Sequence, residues 1–211
     1  MVTVMDDLPE IQRRELAALV EDLSALDPHQ WRSATLCGDW DVEEVVSHLG
    51  GAAATTRARW FRSMIAARFN PVVHNRRRLE EFRGGTPQET LARFRQVGPI
   101  ASPIKPSPAG LGEVIVHAED IRWPLGLRHA PDAAGLLAVA RFFAAKNFAV
   151  NSKSMVKGLA LRATDADFRE GSGPEVYGPL LALVMVMAGR GAFLSELSGD
   201  GVAELSRRLV S

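Results

Sequence analysis

The chain has 211 residues, of which 46% are hydrophobic and 24% charged, and its 25 Lys and Arg balance 25 Asp and Glu. This composition excludes a disordered chain, a collagen-like repeat and a disulfide scaffold, and zero net charge withholds the basic surplus typical of nucleic-acid-binding domains. The single cysteine, Cys37, excludes an intramolecular disulfide and fits a reducing compartment.

The opening MVTVMDDLPEIQRR turns polar before an apolar run can form, so no signal peptide is expected. The most apolar run, Pro179 to Ala188, is about half of the ~20 residues that a spanning helix needs. The expected location is therefore cytoplasmic, with no membrane partner.

From Leu8 to Leu26, apolar residues Ile11, Leu16, Leu19, Leu23 and Leu26 keep helical spacing. Asp7 and Pro9 stand where an N-cap and an early helical proline belong, and Pro28 is the stop. A connector with Trp31 and Cys37-Gly38 comes next. Asp41-x-x-Glu44 reads as a capping box that opens a second helix with Val42, Val45, Val46 and Leu49 as its stripe. The pattern predicts that this helix runs to about Phe69, weakened at Gly50-Gly51 and stopped by Pro71.

Arg76 to Arg83 reads as a basic, exposed stretch. Thr86-Pro87-Gln88-Glu89 is a capping box for a short helix ending near Gly98-Pro99, and Pro103, Pro106 and Pro108 mark a loop. Ser107-Pro108 begins a helix that carries GLGEVIVHAEDIRW and ends at Pro124, and Asp132 caps a fourth long helix. After Val150 the character changes. Gly158 to Thr164 alternates like a strand, Glu175 to Gly178 is a second short strand, Pro179 to Arg190 is an apolar helix, and Ala192 to Leu209 is helical with a break at Gly199-Asp200-Gly201. The expected fold class is mainly α: a four-helix bundle over residues 1–150 and a small α+β domain over 151–211.

Chemistry concentrates in Glu113-Val-Ile-Val-His117. Residues four apart share a helix face, so this carboxylate and imidazole can chelate one divalent ion. Asp120, three residues on, can orient the imidazole and fix its tautomer. The apolar residues between them imply a buried helix, where an ionised Glu113 needs a partner, either a cation or an arginine. His48, among apolar residues of the second helix, is the candidate third ligand; a core histidine bonded to a carbonyl is the alternative. Three ligands leave a position open, as in catalytic sites. His29, His74 and His129 lie in connectors and read as surface residues.

The stretches LCGDWDVEEVVSHL around His48, EVIVHAEDIR from Glu113, LRATDAD from Leu161, Gly178-Pro and Ala188-Gly-Arg190 resemble the mycothiol-dependent maleylpyruvate isomerase family, within the DinB-like superfamily of metal-binding bundles. The resemblance implies a divalent metal, typically zinc, held by His48, Glu113 and His117. It also implies mycothiol as thiol cosubstrate: the metal binds its sulfur, which loses its proton and adds to an electrophilic carbon, giving isomerisation or a conjugate. By the same resemblance, Arg190 is a catalytic and cofactor-binding residue that clamps a carboxylate of substrate or thiol; an arginine favourably placed at a helix C-terminus is the other reading. Arg122 and Arg57 are further polar candidates. Cys37, Trp31, Trp40 and Trp123 read as packing.

The function expected is that of a thiol-activating isomerase or transferase, acting as monomer or homodimer on a small thiol and an electrophilic substrate, with no nucleic acid. The alternative is a non-enzymatic metal or small-molecule binding protein in which a fourth protein ligand, Asp120 first, closes the coordination.

Overall fold

A computed structural model describes residues 4–100, 107–148 and 150–210. For residues 4–6 and for Arg57, Trp60 and Pro71 it describes the backbone alone. The loop expected at Pro103 and Pro106 lies outside the described residues. The chain divides into two compact units, Met5–His129 and a second containing Ala130–Ser211.

The first unit holds α1 (Val4–Ser24), α2 (Val42–Ala53), α3 (Arg57–Ala66), α4 (Pro71–Phe82), α5 (Pro87–Phe94) and α6 (Pro108–Leu125), with a 3-10 turn at Gln30–Arg32. Its core joins Leu16, Leu19 and Leu23 of α1, Val42, Val45, Val46 and Leu49 of α2, Leu91 and Phe94 of α5, and Val114, Ala118 and Ile121 of α6 around Trp31. The mainly α class is as expected. Helix α1 begins a turn before Asp7, with Pro9 inside it.

The single helix expected from Asp41 to Phe69 is two. The Asp41–Glu44 capping box forms, but α2 ends at Ala53, and the Thr56 side chain caps a new helix, α3. The break is not at Gly50-Gly51. Those glycines let α2 lie close against α4: a Cβ on Gly50 would stand 2.1 Å from the Phe82 ring, and one on Gly51 would stand 2.8 Å from the Arg78 carbonyl oxygen. Pro71 starts a helix instead of only ending one, because Asn70 caps it and proline suits the first helical position. The basic stretch at Arg76 is accordingly helical. A buried carboxylate, Glu43, ties α2 to the end of α4 and to α5. It accepts from Arg83 Nη2 at 2.7 Å and from Thr90 Oγ1 at 2.9 Å and pairs with Arg32 at 2.7 Å. Burial works against its ionisation, yet these bonds hold its pKa below the ordinary carboxylate value.

Helix α6 is buried on nearly every side from Gly110 to Arg122, and Glu113 is the one residue in that run with intermediate exposure. Ser107 caps its start and left-handed Gly126 (φ 68°) its end. Pro124, in its last turn, has no N–H to offer Asp120 four residues back. The Asp120 carbonyl accepts instead from the Leu36 backbone at 3.0 Å, which fastens the Cys37 loop to α6.

In the second unit, α7 (Ala133–Ala145) and α8 (Ser152–Met155) precede β1 (Ala160–Ala163), β2 (Arg169–Gly171), β3 (Glu175–Gly178), α9 (Leu180–Met187) and α10 (Val202–Val210). The sheet order is β2-β1-β3, with β1 antiparallel to β2 and parallel to β3, Leu161 opposite Val176. Strand β2 is wholly exposed and carries no apolar alternation, so its sequence gives no strand signal. Helix α9 is apolar all round and almost wholly buried. Helix α7, expected as the fourth bundle helix, packs against α9 within the second unit. No helix among the described residues is long and apolar enough to cross a membrane.

Propensity alone favours alanine over glycine within a helix by about 1 kcal/mol. At Gly51 the approach of α4 reverses the sign. Gly51→Ala is expected to destabilise the protein by about 1–3 kcal/mol in urea denaturation; a gain in stability would contradict the helix contact.

Candidate metal centre

Three elements meet beside Glu113, the partly exposed residue within α6's buried run. Helix α2 supplies His48, α6 supplies Glu113 and His117, and the loop before α2 supplies Cys37 and Trp40. Each of His48, Glu113 and His117 offers one ligand atom, and these atoms lie within 4.8 Å of one another. His48 Nε2 donates to Glu113 Oε1 at 3.0 Å, and His117 Nε2 stands 3.5 Å from the same oxygen. The two imidazoles meet edge to face, with centroids 5.0 Å apart. The Glu113 side chain is 28% exposed against 9% and 10% for the two histidines, so the carboxylate opens the site to solvent.

The surroundings orient these groups. His117 Nδ1 donates to Asp120 Oδ2 at 2.9 Å, leaving Nε2 to face Glu113. Asp120 is fully buried, and its carbonyl is the one freed by Pro124, so side chain and backbone of one residue fix both the imidazole and the loop. The Trp40 ring lies 5.0 Å from that of His48, tilted by 45°.

The electrostatics fit a tight acid–base cluster. Burial pushes the Glu113 carboxyl up, but hydrogen bonds from His117 and His48 outweigh it and hold the pKa well below the ordinary 4.5. Burial pushes His117 down, but hydrogen bonds with Asp120, Cys37 and Glu113 outweigh it and lift the pKa well above the ordinary 6.5. An ion taking Nε2 of His117 must displace that proton.

Two histidines and a carboxylate, with one imidazole anchored on its far nitrogen, are a donor set suited to zinc and similar divalent ions. Cys37 lies closer to this chemistry than its reading as packing implied: its sulfur, His117 and Asp120 form a second group with ligand atoms within 4.8 Å. The signal was its place in the Cys37-Gly38 turn, where Gly38 is left-handed at φ 62°, leading straight into capped α2.

Other candidates are placed elsewhere. Arg190 lies in the second unit, half-buried just beyond α9, with Nη1 donating to the Ala188 carbonyl at 2.6 Å. That bond is the helix-end contact weighed for it. Arg122 is buried and held by Asp22 at 2.7 Å and Glu119 at 3.2 Å, so its charge is used inside the core. The side chain of Arg57 lies outside the described residues. His74 is not a surface residue: it is buried in α4 and shares a 2.8 Å hydrogen bond with the Ser63 hydroxyl. Burial, then the charges of Arg78 and His48, keep its pKa below the ordinary histidine value. His129 is half-buried against Glu15 at 2.8 Å, and His29 is exposed.

Residues 12–101 match the sequence family described as mycothiol maleylpyruvate isomerase N-terminal domain. That segment contains His48 but ends before Glu113 and His117. Two solved structures share the fold: the mycothiol-dependent maleylpyruvate isomerase and a variant of it with one histidine replaced by alanine. Each aligns with a TM-score of 0.63 at 16% identity, covering 95% of this chain and 96% of its own. No curated protein matches the chain.

A histidine with a raised folded pKa stabilises the fold fully below its unfolded value and loses that contribution as pH rises through the folded value. In chelator-treated protein, the stability advantage of the wild type over His117→Gln should therefore be largest just below pH 6.5 and shrink as pH rises above it. Denaturant titrations across that range measure it; an advantage that grows with pH would contradict the cluster.

Proposed function

Because residues 12–101 belong to the mycothiol maleylpyruvate isomerase N-terminal domain family, we propose that this chain is a metal-dependent enzyme that activates a low-molecular-weight thiol for attack on an electrophilic carbon. The observation that carries this reading is the convergence of two imidazoles and one carboxylate within 4.8 Å where α6 reaches solvent. His48, Glu113 and His117 would hold the ion, with zinc the best match to this donor set. When bound, such an ion favours the thiolate form of a thiol near neutral pH.

The protein's own residues prepare that chemistry. Asp120 holds the His117 tautomer that leaves Nε2 available, and Trp40 supports the His48 ring. Glu113 brings negative charge on the exposed side, which strengthens the hold on a cation. Arg190 is assigned the clamp for a carboxylate of thiol or substrate, a task suited to a planar guanidinium. Mycothiol, named in the structural neighbours, is the thiol to expect. In an isomerisation the thiolate would add to one carbon of a double bond conjugated to a carbonyl, whose electron pair moves onto the carbonyl oxygen as an enolate; the former double bond, now single, rotates, and its re-formation expels the thiolate. If the sulfur stays, the product is a conjugate and the reaction a transfer. The non-enzymatic alternative needs a fourth ligand, and the Asp120 carboxylate is already committed to His117 Nδ1.

The test is turnover of maleylpyruvate by zinc-loaded protein, followed by absorbance with and without mycothiol. Turnover is expected only with the thiol. His117→Ala should abolish it, Asp120→Asn should lower it by about 10–100-fold through weaker metal binding, and Arg190→Lys should act mainly on KM. Turnover that persists in His117→Ala would contradict the proposal.

A further inference from the structure

A groove of about 280 Å³ lies between α3 and α4, lined by Arg59, Arg62, Arg77 and Arg78, with Ser63 and a single carboxylate, Glu81. Glu81 is used up within it, one oxygen paired with Arg59 at 2.7 Å and the other with Arg78. Arg62 and Arg77 have no ion-pair partner among the described residues. Arg78 is only 12% exposed, and its Nε is buried with no acceptor. The guanidinium end of Arg78 pairs with Glu81 on the groove wall, so the unpaired charge in the groove is that of Arg62 and Arg77. The charge is local: residues 57–83 contain eight arginines and two acids in a chain that is neutral as a whole.

We propose that this groove binds a phosphate monoester. A carboxylate brings one charge, whereas the groove has four cations against one anion. A monoester brings close to two charges and three acceptor oxygens, which match several guanidinium forks at once. The volume sits at the lower edge of small-ligand pockets, so it admits a phosphate with a small organic body and not a folded partner. Ser63, its hydroxyl held by His74 at 2.8 Å, adds a fixed polar group to the wall. Phe61, Ile65, Phe69 and Val72, none of them lining the groove, are exposed on the same two helices and their joining turn. The monoester could therefore come from a soluble metabolite or from a lipid headgroup of the phosphatidic acid type. The site shares no residue with the His48–Glu113–His117 cluster and does not depend on the function proposed for it.

The test titrates the full-length protein with glycerol 3-phosphate at constant ionic strength, with acetate as the monocarboxylate control, by calorimetry. A parallel arm measures cosedimentation with phosphatidylcholine vesicles with and without phosphatidic acid. Saturable one-to-one binding of glycerol 3-phosphate, much stronger than of acetate, is expected. It should weaken at least tenfold in the doubly substituted Arg62→Ala, Arg77→Ala protein, whose altered side chains are exposed, and weaken less in Arg62→Lys, Arg77→Lys, which keeps both charges but loses the planar guanidinium forks. Arg128→Ala, altered at an exposed arginine elsewhere, should bind as the wild type. Vesicle binding that requires phosphatidic acid, is competed by glycerol 3-phosphate and is lost in the double variant assigns the lipid source; soluble binding without it assigns a metabolite. Three results would overturn the proposal: binding unchanged in the double variant, binding lost instead in His48→Ala, which would move the phosphate to the metal centre, or equal response to acetate, which would mean screening alone.

Discussion

Helix α6 brings Glu113, His117, Glu119, Asp120 and Arg122 into the interior within three turns, and most of this architecture arises from the need to satisfy them. Buried charge is costly unless paired and hydrogen-bonded. The helix meets that demand in two ways. Toward its C-terminus Arg122 is matched by Glu119 and Asp22. Toward its middle Glu113, His117 and Asp120 are matched only with the help of His48 from α2, and Glu113 stays partly in solvent. The first pairs the Arg122 charge with two carboxylates of the protein, although Arg122 Nη2 stays buried without an acceptor. The second concentrates donor atoms on one point and keeps a face open, which is the difference between a structural ion pair and a site.

That point is held from several directions. The capping box sets where α2 begins and so the rotation that turns His48 toward α6. Close packing at Gly50 and Gly51 fixes α2 against α4. Pro124 withdraws a donor from the helix, and the carbonyl it frees at Asp120 receives the Leu36 amide, bringing Cys37 and Trp40 beside the two histidines. Helix ends, a proline and a pair of glycines thus do as much for the cluster as the candidate ligands themselves, since donor atoms are useful only when held in place.

Much of this was legible from the sequence, for identifiable reasons. The Glu113–His117 spacing, the apolar residues between them and the capping signals at Asp41, Thr86, Ser107 and Asp132 are local, and local periodicity reports them directly. The misreadings involve choices that tertiary contacts make. Gly50-Gly51 looked like a weakness because propensity takes no account of the neighbouring helix. Pro71 looked like a stop because its role depends on whether Asn70 caps the next helix. His74 looked exposed while its segment was read as a loop. Cys37 does pack against the core as expected, but its approach to His117 was not legible because it depends on the carbonyl that Pro124 frees. The exposed β2 has no apolar alternation to betray it. The place of Arg190 rests on family likeness, since no spacing relates it to residues so far away in the chain.

We propose that His48, Glu113 and His117 jointly hold one divalent ion. X-ray absorption at the zinc edge, on protein purified without affinity-column metal and then loaded with one equivalent of zinc, tests it most directly. The expected coordination is two imidazole nitrogens and light oxygen or nitrogen donors, with no sulfur until a thiol is added, and the bound ion is lost in Glu113→Ala. Sulfur in the shell of the thiol-free protein, or a shell unchanged when His48 and His117 are both replaced by alanine, would contradict it.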